Sequence, residues 1–153
     1  MSRGFGLIEI VVGSAILAVV LLAVSEYYQG SLRISRTTAN LTQASFLLEE
    51  GVEVAKLFRD DGWANVGTPA TGTTYYLSYT GTKWATSTTN VYIDGLFERT
   101  LTLSDVYRDA SDDITTSGGT LDTGIRKATV AVSWREGTST TTKSIDTYLA
   151  NIF

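Results

Sequence analysis

The chain changes its hydrophobic period twice. From Phe5 to Val24 it reads FGLIEIVVGSAILAVVLLAV, with one charge, Glu9, and no alternation. A run that long and that apolar predicts a helix able to cross a bilayer. From Tyr28 onward the apolar positions Leu32, Ala39, Leu41, Ala44, Leu48, Val52, Ala55 and Phe58 recur mostly at steps of three and four, with Arg33, Arg36, Gln43, Glu49, Glu53 and Lys56 between them. That is one greasy stripe on an otherwise wet helix. No Pro occurs before Pro69, so the spacing predicts a single helix from Phe5 to about Arg59, on the order of 80 Å long. Asp60-Asp61-Gly62 reads as its stop, with Gly62 as a left-handed cap.

Beyond Gly62 the period becomes two. Tyr75 to Tyr79 is a strand candidate, turned by Gly81 toward Lys83-Trp84-Ala85. Phe97, Leu101 and Leu103 alternate with Glu98, Thr100, Thr102 and Ser104, so this strand has one buried face, and Arg99 on the apolar side is expected near an edge. Asp109 to Gly124 reads as a polar loop. Ala128, Val130, Val132 and Trp134 alternate with Thr129, Ala131, Ser133 and Arg135. Glu136-Gly137 turns the chain, and Ile145, Thr147 and Leu149 form the apolar side of a last strand. One-faced strands predict an antiparallel sheet resting on the helix stripe, an α+β architecture.

Composition narrows the function classes. The 153 residues include no His and no Cys, which excludes Ser–His and Cys–His catalysis, thiolate metal sites and disulfides. The net charge is −4 and the basic residues are scattered, so no stripe is available to neutralise nucleic-acid phosphates. No acid–base or nucleophile constellation emerges, and no cofactor is expected. An enzyme is not the expectation.

The informative segment is Arg3-Gly4-Phe5-Gly6-Leu7-Ile8-Glu9. It resembles the processing signature of the type IV pilin family: a base and Gly, then Phe, a small residue, two apolar residues and Glu. The resemblance implies that a prepilin peptidase recognises Arg3 and Gly4, cuts between Gly4 and Phe5, and methylates Phe5. It implies that Glu9 pairs with the α-amino group of a neighbouring subunit and sets axial register. Physically, Gly4 offers the protease no side chain, and Arg3 holds the leader on the cytoplasmic side. An ordinary signal peptide has its apolar core before its cleavage site; here the core follows the cut and stays with the product. An acid inside a membrane helix costs roughly 2.5–3.5 kcal/mol at the bilayer centre, so it calls for a partner.

On this reading residues 1–4 are a leader, 5–24 a transmembrane and filament-core helix, 25–61 its amphipathic half, and 62–153 a β-rich head, the family's lollipop layout. Residues 129–134 (TVAVSW) and the closing Thr147-Tyr148-Leu149-Ala150-Asn151 resemble minor pilins. The apolar half lacks the Pro of many major pilins, and the C-terminal disulfide is impossible; both departures point toward a minor pilin or a type II secretion-type pseudopilin. The expected partners are other pilin or pseudopilin subunits, the peptidase, an inner-membrane assembly platform and the lipid bilayer. The expected location is the inner membrane, single-pass, before assembly and a pilus or periplasmic or cell-surface filament after it. A different class of function, an unprocessed single-pass tether whose head binds a surface ligand, predicts an intact N-terminus.

Weaker signals have plainer readings. Asp122-Thr123-Gly124 matches the core of the aspartic protease motif but has no second copy, and reads as a β-turn. Asp105, Asp109, Asp112 and Asp113 form the densest acidic cluster; Asp109, Asp112 and Asp113 are the calcium candidates, against a solvated loop. Tyr75, Tyr76, Tyr79, Trp84 and Tyr92 offer an aromatic surface for sugar or protein, against core packing. Asn40-Leu41-Thr42 fits a glycosylation sequon but lies within the helix.

Overall fold

A computed structural model describes residues 6–116 and 118–152. Helix α1 (Leu7–Asp60) contains 54 residues without a break, as expected for a stretch free of Pro. By contact density the chain forms two compact units, one ending at Leu41 and the other beginning at Thr42. In the first unit every described residue from Gly6 to Arg36 is exposed, including Leu7, Ile16, Leu22 and Val24. This stretch is long and apolar enough to cross a membrane.

The second unit sets the end of α1 against one antiparallel sheet. Its strands are β1 (Thr74–Tyr79), β2 (Trp84–Ser87), β3 (Tyr92–Ile93), β4 (Phe97–Arg108), β5 (Ile114–Thr115), β6 (Thr120–Glu136) and β7 (Ser139–Ala150). The spatial order is β2-β1-β4-β6-β7, with β3 and β5 paired to β4. Alternation places Leu77, Phe97, Leu101, Leu103, Val130, Val132, Trp134 and Leu149 on the buried face, where they meet Ala44, Leu48, Val54 and Ala55 of α1. Helix and sheet approach closely at Gly51, where an added Cβ would lie 2.5 Å from Val130 Cγ1. Leu48 and Ala55 of the expected stripe are buried and Val52 is half-buried, whereas Leu32 and Ala39 are exposed.

Turns hold the register. Asp94 and Gly95 both have positive φ, 52° and 67°, between β3 and β4, and Gln43 Nε2 of α1 donates to Asp94 Oδ2 at 2.8 Å. Gly137 (φ 66°) closes the two-residue hairpin between β6 and β7, whose pairing then runs from Glu136↔Ser139 to Ile125↔Ala150. Gly62 follows α1 at φ 143°, a positive φ that favours glycine but lies far from the roughly 57° of the left-handed helical cap expected.

Three further expectations need correction. Arg99 is not near an edge: β4 lies between β1 and β6, and Arg99 is 3% exposed. It is tolerated there because Glu50 of α1 forms an ion pair with it and its guanidinium stacks over Trp84 at 4.8 Å. The stretch from Asp109 to Gly124 is only partly loop, since it contains β5 and the start of β6. Asp122-Thr123-Gly124 is no turn before a strand but lies within β6, where the β4 register jumps from Asp105↔Arg126 to Val106↔Asp122. A short helix, α2 (Ala64–Gly67), follows α1 and buries Val66.

Candidate functional site

The first turn of α1 carries the one carboxylate of the apolar run. Glu9 is exposed, and its Oε2 accepts a hydrogen bond from the Gly6 backbone N–H at 3.1 Å. The Glu9 N–H in turn donates to the Gly6 carbonyl at 2.9 Å. This is the N3 half of a capping box: the acid satisfies a helix-terminal donor and sits at the positive end of the helix dipole. Leu7, Ile8 and Ile10 around it are all more than half exposed. Arg3, Gly4 and Phe5 lie outside the described residues. The capping bond was legible as a Gly-x-x-Glu spacing at the start of an apolar run, a signal that the processing motif overshadows.

Further along the same unit, Tyr27 and Tyr28 follow the apolar run and are 80% and 63% exposed. Tyrosines at that point suit the boundary of a bilayer, where ring and hydroxyl meet different solvents. Tyr27, Gly30, Ser31 and Ile34 line a notch of about 270 Å³, and Arg33 and Arg36 lie exposed beside it.

In the second unit Asp105, Asp109, Asp112 and Asp122 are engaged within the chain. Asp105 pairs with Arg126. Arg108 Nε donates to Asp122 Oδ2 at 2.7 Å and lies 3.6 Å from Asp112. Asp109 Oδ1 accepts from the backbone N–H groups of Ser111 and Asp113 at 2.8 and 3.1 Å, the bonds of a local turn. Among the described residues no three acids converge as metal ligands. The Arg108 guanidinium, and then the Gly124 N–H, hold the Asp122 carboxyl below its ordinary value.

The aromatic candidates divide. Tyr79 and Trp84 pack with rings tilted by 55° and centroids 5.5 Å apart, on the face that carries Leu77. Tyr76 is half-buried on the opposite face. Tyr92 is exposed at a shallow groove of about 310 Å³ that includes Glu98, Ser133 and Thr140. Glu98 there is held by Asn90 and by Ser133 Oγ at 3.2 Å. Compared with known proteins, the chain matches no family model, no curated protein and no solved structure.

Proposed function

We propose that this chain is the precursor of a structural filament subunit, a minor pilin or pseudopilin of a type IV pilus or type II secretion-like filament. Prepilin peptidase would cut between Gly4 and Phe5 and methylate Phe5, and the apolar half of α1 would leave the lipid to pack among the same segments of other copies. The observation that carries the reading is Glu9, a single acid in the first turn of a helix stretch that is otherwise apolar and uncovered on every side.

In the precursor the Gly6 N–H and the helix dipole offset part of the cost of taking that acid into lipid. In a filament, a neighbour's methylated α-amino group would still be cationic and would complete its neutralisation. Among apolar helices the pair is held less by its net gain than by the cost of breaking it, because a subunit inserted at the wrong height leaves a buried charge uncompensated. Before assembly the subunit would sit in the inner membrane with its β unit in water; afterwards it would belong to a pilus or pseudopilus.

The capping bond also favours a second reading, because it gives Glu9 a partner without any neighbour. In that case the chain is an unprocessed tether. The mass of the mature protein separates the two: a chain beginning at N-methylated Phe5 supports the subunit, and one retaining Met1 supports the tether. Glu9→Ala should leave membrane insertion intact and abolish incorporation into filaments. Normal incorporation of that variant would overturn the assembly role given to Glu9.

A further inference from the structure

Gly30 has no reason for being glycine within the chain that carries it. A glycine inside a helix is roughly 0.5–1 kcal/mol worse than alanine, and a Cβ added at Gly30 would meet nothing within 4 Å. Gly51 differs, since Val130 occupies its Cβ position. The notch at Gly30, walled by Tyr27 and Ile34, is open to the outside of the chain.

The second unit displays a matching surface. The side of α1 away from the sheet presents Phe46 and Leu57, 64% and 51% exposed, with Glu49 and Glu53 between them. At steps of three and four, Phe46, Glu49, Glu53 and Leu57 line one side of the helix, so the two apolar side chains flank the two acids. Charge is complementary as well: Arg33 and Arg36 have no ion pair among the described residues, and Glu49 has none either.

We infer that this outer face of α1 docks on the Tyr27–Leu41 stretch of a second copy of the chain, with Phe46 seated over Gly30 and Glu49 beside Arg33. The inference rests on the filament reading and names the surfaces through which two subunits meet. One offset of sixteen residues, about four and a half turns, sets Phe46 against Gly30, Glu49 against Arg33 and Leu57 against Leu41. The same offset brings Glu53 to within one residue of Arg36. Because the two surfaces are different, the contact is head-to-tail, and repeating it adds copy after copy without closing a pair.

The absence of cysteine makes the test direct. In Arg33→Cys/Glu49→Cys the two thiols of one chain are too far apart on the helix to bond to each other, so any disulfide joins copies. Mild oxidation of filaments should give a ladder of covalent multimers. Gly30→Leu, which fills the notch while favouring the helix, should insert in the membrane and fail to assemble. If the cysteine pair itself blocks assembly, Arg33→Glu and Glu49→Arg should each abolish filaments and their combination should restore them. Wild-type filaments together with an unlinked cysteine variant and normal assembly of Gly30→Leu would overturn the docking and leave the filament reading standing. Absence of wild-type filaments would overturn both. In the Glu49→Cys single variant, a disulfide to a chain of different mass would place another protein on this face and overturn the proposal.

Discussion

Replacing Gly51 by Ala should destabilise the β unit even though alanine is the better helix former. Intrinsic preference favours the change by roughly 0.5–1 kcal/mol. The new methyl would stand 2.5 Å from Val130 Cγ1 and 3.3 Å from Arg99 Cδ, where contacting carbons prefer about 3.5–4.0 Å. Both neighbours are on the central strands β4 and β6, so neither can retreat without disturbing the sheet. Overpacking a filled core costs about 1–3 kcal/mol. The net expectation is a loss centred near about 1 kcal/mol and at most about 2.5 kcal/mol, the central value being a fall of roughly 4–6 °C in Tm for a unit of this size. Thermal unfolding of the full chain in detergent, followed by near-ultraviolet circular dichroism, reads it directly. Val130→Ala removes the obstructing methyl, so Gly51→Ala/Val130→Ala should be less destabilised than the two single changes added together, by at least about 0.5 kcal/mol. Gly30→Ala, with nothing near its Cβ, should leave the same transition unmoved. A rise in Tm for Gly51→Ala would mean that helix propensity outweighs the close approach, and the packing argument would be wrong.

Two other outcomes follow from the charges of the β unit. Glu50→Ala should be more destabilising than Arg99→Met in chemical denaturation, because the first strands a guanidinium that is 3% exposed and the second replaces it with apolar volume; the opposite order would refute the account of that pair. The carboxyl of Asp122 is lowered by Arg108 and then the Gly124 N–H, and that of Asp146 by Lys127 and then Thr129. A depressed carboxyl contributes stability above its unfolded pKa of about 4 and loses it as pH falls through the folded value. Tm should therefore drop below about pH 4, and Arg108→Gln should shrink the difference between pH 7 and pH 3; an unchanged difference would remove Asp122 as a source of the acid sensitivity.

Much of the layout was legible along the chain. The long helix, the change of period after Gly62 and the alternating faces of β4 and β6 all express local rules, because apolar spacing and turn residues act over a few positions. On β7, by contrast, only Leu149 of the expected apolar side is buried, and Ile145 is exposed. Arg99 was misplaced for a physical reason: a charge on an apolar face signals an edge unless a partner arrives, and its partner Glu50 lies on α1, 49 residues away. The bulge that absorbs Asp122-Thr123-Gly124 was hidden in the same way. Its cause is the register of two neighbouring strands, which Gly and Asp alone signal only as a turn. Helix α2 has too few apolar positions to show a period, and the burial of Val66 is what distinguishes it.

The site divides along the same line. That one acid stands at the head of a lipid-length apolar run is a property of order and composition, and needs no coordinates. Tertiary structure decided which side of α1 is used up against the sheet, and so left Phe46, Glu49, Glu53 and Leu57 uncovered on the other. A helical period can say that a face is apolar, but only the contacts made by Ala44, Leu48, Gly51 and Ala55 show which face is occupied, because burial depends on groups brought together from distant parts of the chain.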